Sequence, residues 1–392
     1  MRRPAFLAVI VLTALTALCC KGDKALFTIT VDNPSALERV GEMVEVAQEA
    51  LDGLPDLFVV MDDKGGQVPY QITYDGKIIF QADVPPNAKA VYTICDPVCD
   101  RVCDPVCDPG SFDTIVCGRQ YPGRMDDIAW ENDRIAFRTY GPALQASGER
   151  AFGYDLWVKN VLHPVVEDRY YQELTNGVSY HTDHGNGLDY YNVGPTLGAG
   201  TSALMSSDTL VYPYCYKTYE ILDNGPLRFT VSLTYNPVRA GGDEGVVETR
   251  LLTLDAGSQM NKAVISFEGL SKVTPLAIGI VIHEAANDYL ADTCFIACAG
   301  SIDPVNGQFY AGAVFPYTLK EAGAVYFTDN EKAERKAAGH VLAISDYAPG
   351  TKLTYYWGGG WSKWGFPASD DWFTYMRGFA CKVKAPLIVS VQ

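Results

Sequence analysis

From Lys24 onward the chain is cut into short runs of alternating or continuously apolar residues, each closed by Gly, Asp, Asn or Pro, and almost no stretch reads as a long helix. Phe27-Thr-Ile-Thr-Val31 alternates with the period of a half-buried strand. Residues 68–74 and 77–84 flank Asp75-Gly76, a pair suited to a tight primed turn, and so predict a hairpin. Residues 217–222, 227–235 and 246–254 are joined by Asn224-Gly-Pro226 and Ala240-Gly-Gly242, and Asp255-Ala-Gly257 closes the last of them. This punctuation excludes alternating β/α architecture. The simplest answer is an all-β protein, two large antiparallel sheets packed as a sandwich with few short helices. Hydrophobic residues make up 48% of the 392, enough for a sizeable core. Residues 36–51 fit either a short helix, with Leu37, Val40 and Val44 on one side, or a strand centred on 43–46. Residues 330–338 and 371–381 read as short helices, and 386–391 as a last strand.

The ends and the charge narrow the setting. Met1-Arg-Arg3 and the apolar run over 5–18 have the form of a targeting signal, too short to span a bilayer, with Cys19 and Cys20 just beyond it. We expect a leader over 1–20, lipidation of Cys19 or Cys20 or plain secretion, and a mature protein in the periplasm or at the cell surface. A single domain is expected over 24–392, carrying a Cys-rich insertion at 95–117. There Cys95, Cys99, Cys103 and Cys107 recur every four residues between Asp-Pro pairs, which reads as an expanded surface loop with one or two disulfides. Cys294 and Cys298 either bridge to Cys215 or Cys381 or stay buried. A net charge of −16 argues against nucleic acid and against an anionic membrane surface as partners. It leaves room for an anionic small substrate, because a local arginine cluster overrides the global field.

Chemistry concentrates in Tyr180-His-Thr-Asp-His-Gly-Asn-Gly-Leu-Asp-Tyr-Tyr-Asn-Val-Gly194. It holds two of the five histidines, His181 and His184, with Asp183, Asp189, Tyr190 and Tyr191. Imidazole titrates near neutrality and a carboxylate can orient it. We read the stretch as a loop running into a short strand and lining a cleft; the alternative is an idle polar turn. Upstream, 135–140 alternates so that Arg134, Ala136 and Arg138 share one face. An arginine there needs an anion, either substrate or an internal partner such as Glu131 or Asp127. His283-Glu284 is a second His–carboxylate pair, and the Gly/Trp loop at 357–365 could place Trp361 or Trp364 over a ligand.

Arg124-x-Asp-Asp-x-Ala-Trp-Glu-Asn132, the His-Asp-His stretch at 180–194, and Gly225-Pro-Leu-Arg228 resemble a family of secreted bacterial proteins, domain-of-unknown-function family 4861. The likeness runs from about Phe27 to the C-terminus. It implies a galactose-mutarotase-like β-supersandwich and work on carbohydrate, alongside enzymes that degrade pectin and related polysaccharides, without implying a reaction. Gly123 stands where the family has Glu, and the Cys repeat is foreign to it.

Three mechanisms fit the inventory. In β-elimination from a uronate, Arg138 neutralises the carboxylate, His181 or His184 is the base, and Tyr190 or Tyr191 the acid. In hydrolysis, Asp189 with Glu284, or Asp127 with Glu131, forms the acid pair. In anomer or epimer interconversion, His184 works with Glu284. Arg124, Trp130, Glu131, Tyr190, Arg228, His283 and Trp361 are read as substrate-binding. No cofactor is required; a divalent cation on His181, Asp183 and His184 is the alternative, and needs the loop to fold back. The expected ligand is an acidic oligosaccharide, and a non-catalytic glycan-binding lipoprotein is the competing class.

Overall fold

A computed structural model describes residues 24–96, 112–206 and 208–392. As expected, the chain is all-β, with few and short helices. The leader, Cys19 and Cys20, and the Cys repeat at 99–107 lie outside the described residues.

Two small sheets carry the N-terminal part. One runs in the order Ile388–Val391, Lys24–Asn33, Ala88–Asp96, Val59–Met61 and Gln67–Val68; the other joins Arg39–Ala47, Lys77–Val84 and Tyr70–Ile72. The Asp75-Gly76 hairpin forms: Gly76 has φ +71°, and the Thr73 hydroxyl donates to the Asp75 carboxylate while accepting from the Lys77 N–H. Residues 36–51 resolve as a strand followed by a 3-10 turn, Gln48–Ala50. Val44 and Val46 alternate inward, whereas Leu37 and Val40 are exposed, so the apolar helix face has nothing to bury against. Ile78, Phe80, Ala82 and Val84 fill the N-terminal core, while Ile79 on the opposite face enters the main one.

The main core lies among three sheets. A nine-stranded sheet runs from Tyr216–Gly225 through Arg228–Tyr235, Asp243–Asp255, Met260–Glu268, Leu353–Trp361, Phe309–Val314 and Phe295–Ala299 to Tyr289–Ala291, with Val238–Ala240 paired to one side. A five-stranded sheet comprises Thr209–Val211, Ala199–Ser206, Thr274–Ile282, Gly339–Tyr347 and Glu321–Tyr326. A second five-stranded sheet comprises Gly187–Leu188, Asp155–Lys159, Ile135–Thr139, Asp127–Glu131 and Cys117–Tyr121. Trp357 is the hinge of the packing: it stacks on Tyr154 at 4.0 Å and meets Phe137 and Trp130 edge-on.

The helix Asp329–Arg335 carries a capping box between Thr328 and Glu331, and the C-terminal helix is longer than expected, Ser369–Lys384. The helix Val166–Tyr171, continued by a π-helical turn over Gln172–Asn176, was not legible. Cys117, Cys215, Cys294, Cys298 and Cys381 are free thiols. Cys294 and Cys298 are therefore buried rather than bridged, and burial pushes the Cys298 thiol up to about 12.

Candidate functional site

Strand alternation gives the second five-stranded sheet two unlike faces. Ile128, Trp130, Ile135, Phe137, Leu156 and Val158 face the main core. Asp127, Glu131, Arg138, Asp155 and Lys159 share the other face, with Ala129, Ala136 and Trp157 between them. Register sets Arg138 directly opposite Asp155.

The charged face has two ends. At one, Lys159 Nζ sits 2.7 Å from Glu131 Oε2, and Glu131 also accepts from the N–H groups of Val165 and Val166 at the start of the helix Val166–Tyr171. Glu131, expected on substrate, anchors that helix instead, while the buried Arg169 on the helix reaches, among the described residues, only the Val158 and Asn186 carbonyls and the Asn186 side chain through Nη2.

At the other end one guanidinium serves three acids. Arg138 Nη2 lies 2.5 Å from Asp155 Oδ2 and 2.9 Å from Asp189 Oδ2, and Nη1 lies 3.7 Å from Asp127 Oδ2. All three aspartates are almost wholly enclosed, and Oδ1 of both Asp127 and Asp155 lacks a partner among the described residues. Burial disfavours their charged forms. It lifts Asp127 to about 6 and raises Asp155 and Asp189, the latter two against one shared cation. Arg124 beside Asp127 and Arg169 beside Asp189 oppose the rise without cancelling it.

A roof covers this end. Tyr180 stacks on Trp157 at 4.7 Å, and Tyr170 meets both rings edge-on. The Tyr180 backbone is pinned twice, by its N–H on Glu173 and its carbonyl under the Asp189 N–H. Gly187 makes the turn possible: its φ is +97°, and a Cβ there would sit 2.2 Å from the Val158 carbonyl oxygen. The Tyr180 hydroxyl accepts from two guanidiniums, Arg138 Nη1 at 3.3 Å and Arg124 Nη2. Arg124 is presented by a strained loop, since Met125 and Asp126 both have positive φ. Its Nε lacks a partner among the described residues.

His181 is the open edge of this network. Its side chain is 56% exposed. Nδ1 lies 2.8 Å from the Asp189 carbonyl oxygen and 3.7 Å from Asp189 Oδ2. A carbonyl only accepts, so Nδ1 carries a proton, and in the neutral ring the lone pair is on Nε2.

The structure thus brings together Arg124, Arg138, His181 and Asp189, with Asp127, Asp155, Tyr140, Tyr170 and Tyr180. Asp155 was not singled out in the sequence, although alternation from Trp157 and Lys159 would have put it on their face. The remaining candidates part company. His184 is exposed, with Nε2 on the Ser179 carbonyl, and Asp183 accepts from the N–H groups of Gly185 and Gly187. His181, Asp183 and His184 are therefore committed to different partners, and among the described residues no cluster of three or more His, Cys, Asp or Glu could hold a metal ion. Tyr191 packs on His283 and Phe309, its pKa is raised chiefly by burial, and its hydroxyl has no hydrogen-bond partner among the described residues. Tyr190 leans on Phe309, and His283 Nε2 lies 2.6 Å from the Asn192 carbonyl oxygen. Glu284 is exposed in a turn with Asn287 and pairs with neither His184 nor Asp189, which removes two expected acid–base pairs. Trp130 and Trp361 are core residues, 1% and 2% exposed, whose Nε1 groups donate to Asn261 and to the Asn306 carbonyl. They cannot platform a ligand. Arg228 is held by Asp255 and Glu45, away from the histidines.

Fold and site together define an all-β sandwich with a buried acid–arginine network on one sheet face. The chain belongs to the family described as "Domain of unknown function (DUF4861)", whose model matches residues 31–389. It is similar to an uncharacterized protein of Formosa agariphila, 25% identical over 421 aligned positions that cover both chains fully. Among solved structures it is similar to an alpha-mannosidase from Enterococcus faecalis, with a TM-score of 0.50 and 8% identity over 93% of this chain. A glycosyl hydrolase family 38 protein from the same organism gives a TM-score of 0.49 at 8% identity, again over 93% of this chain. The chain spans 46% and 47% of those two structures. What is shared with the alpha-mannosidase is the fold alone.

Proposed function

We propose that the protein is a carbohydrate-active enzyme that takes an acidic oligosaccharide at the Arg124–Tyr180–His181 edge and cleaves it by β-elimination. The observation that carries this reading is the Tyr180 phenol held between two guanidiniums and next to an imidazole whose tautomer is fixed. A substrate carboxylate draws Arg124 off the phenol and onto itself, a bidentate pairing that a guanidinium favours. His181 Nε2 then removes the proton α to the carboxylate. The electron pair of that C–H bond forms the new carbon–carbon double bond as the β-glycosidic C–O bond breaks. Tyr180 gives its proton to the leaving oxygen, and the resulting phenolate stays on Arg138. Proton return from His181 to Tyr180 resets the site. A fold shared with an alpha-mannosidase supports the sugar assignment in general terms.

A second reading has its own support. Asp155 and Asp189, both on Arg138 Nη2 and both raised in pKa, are candidate acids for glycoside hydrolysis, which requires the Tyr180 roof to move aside because both are enclosed. The test is incubation with a panel of acidic oligosaccharides while following far-ultraviolet absorbance and reducing ends. New absorbance, lost by about 100-fold or more in His181→Ala with binding retained, is the expected result. Reducing ends without absorbance mean hydrolysis, and neither signal means a glycan-binding protein.

A further inference from the structure

A separate cavity of about 680 Å³ opens on the far side of the nine-stranded sheet, between the strand Arg39–Ala47 and the helix Ser369–Lys384. Alternation separates it from the site above. Asn261 turns inward to Trp130 Nε1, whereas Lys262 and Tyr356, paired across neighbouring strands, line the cavity. Its size suits one or two sugar rings, and it lies where separate parts of the fold meet, a common place for ligand sites.

Its walls are fastened together. Gln81 Nε2 donates to the carbonyls of Gly41 and Ala256, each at 3.0 Å, and so ties two sides of the rim. Arg39 Nη2 reaches the Ala385 carbonyl at 2.6 Å and pairs with Glu42, fixing the third. The charges inside are mostly spent. Arg228 is held by Asp255 and Glu45, Glu45 also by Lys77, and Glu42 by Arg39 with Lys382 3.8 Å away. Lys262 alone among these cations makes no hydrogen bond or ion pair with any described residue, although it lies in the field of Glu45. Beside it, Tyr356 and Phe379 meet edge-on at 5.5 Å, both half-buried.

Gly378 adds a further mark. It lies within a 16-residue helix, where glycine costs about 1 kcal/mol relative to alanine. A Cβ placed there would meet nothing within 4 Å. The helix forgoes a side chain at the cavity wall, and no packing contact accounts for it.

We propose that this cavity is a second, non-catalytic saccharide site for an anionic sugar, whose acidic group takes the Lys262 ammonium and whose ring lies against Tyr356 and Phe379. It holds whether or not the first site is catalytic. Calorimetry against size-defined carboxylated, sulfated and neutral oligosaccharides tests it. Gly378→Leu fills the cavity while improving helix propensity, and Lys262→Ala removes the cation. Each should weaken one binding step for an anionic oligomer by about tenfold or more, leaving turnover of short substrates unchanged. Preference for carboxylated oligomers names a uronate; preference for sulfated ones names a sulfate ester. Anionic binding that is unaltered in Gly378→Leu, or neutral oligomers binding equally well and indifferent to Lys262→Ala, overturns the proposal. Failure of elimination would appear separately, as lack of turnover with this step intact.

Discussion

Two of the buried arginines, Arg250 and Arg138, are handled in opposite ways. Arg250 meets one acid. Its Nε and Nη2 take the two oxygens of Glu248 at 2.7 and 2.9 Å, Nη1 donates to Tyr235, and Ser202 completes the Glu248 shell. Charge and hydrogen bonds balance within the core. Arg138 meets three acids, two of which leave an oxygen without a partner, and their protons are held more tightly in consequence. The first arrangement satisfies burial and nothing more. The second places three acids within reach of one guanidinium, with Arg124 and Arg169 acting from farther off, borders an exposed imidazole, and is capped by a phenol shared with a second arginine. Raised acids beside an open imidazole are an arrangement found where protons are exchanged with a ligand.

The comparison can be broken most forcefully by removing each arginine. Arg250→Met strands Glu248 in the core and should cost about 3–5 kcal/mol in denaturant unfolding at pH 8, easing as the pH falls and that single carboxyl takes a proton. Arg138→Met should cost distinctly less at pH 5, where its acids simply take protons, and as much or more at pH 8. Equal losses at both pH values would mean that the three acids do not hold raised pKa values.

A smaller effect comes from removing one of the three acids. Asp127 titrates near 6 in the folded protein against an ordinary 3.8. Between those values the folded state binds more protons than the unfolded one, so stability falls as pH rises through the window. Asp127→Asn keeps the shape without the charge. It should flatten that slope and gain about 2–3 kcal/mol relative to the parent at pH 8 compared with pH 4. A thermal-melting profile parallel to the parent's would contradict it. The smallest effect belongs to Glu284→Gln: exposed and bound only in its own turn, it should leave stability within about 0.5 kcal/mol and turnover within about twofold.

Particular residues show what the sequence could and could not convey. Strands were readable because alternation and the Asp-Gly and Asn-Gly-Pro turns are local signals. The face of Arg138 was readable for the same reason, as was the crowding of His181 and Asp189 with tyrosines. Asp155 was missed because one aspartate in a strand looks solvated until the helix Val166–Tyr171 and Tyr180 are seen to cover it. Glu131 misled because its partner, Lys159, comes from another strand. Trp130 and Trp361 misled because an aromatic ring in a strand serves a core or a ligand according to what packs above it. In this fold that is decided by sheets distant in sequence.

The most direct test is the turnover of acidic oligosaccharides by Tyr180→Phe, read beside its unfolding free energy. The account predicts loss of turnover by about 100-fold or more with stability held within about 1.5 kcal/mol. Turnover that survives, or that falls only as far as the protein unfolds, would contradict the assignment of chemistry to the phenol between the two arginines.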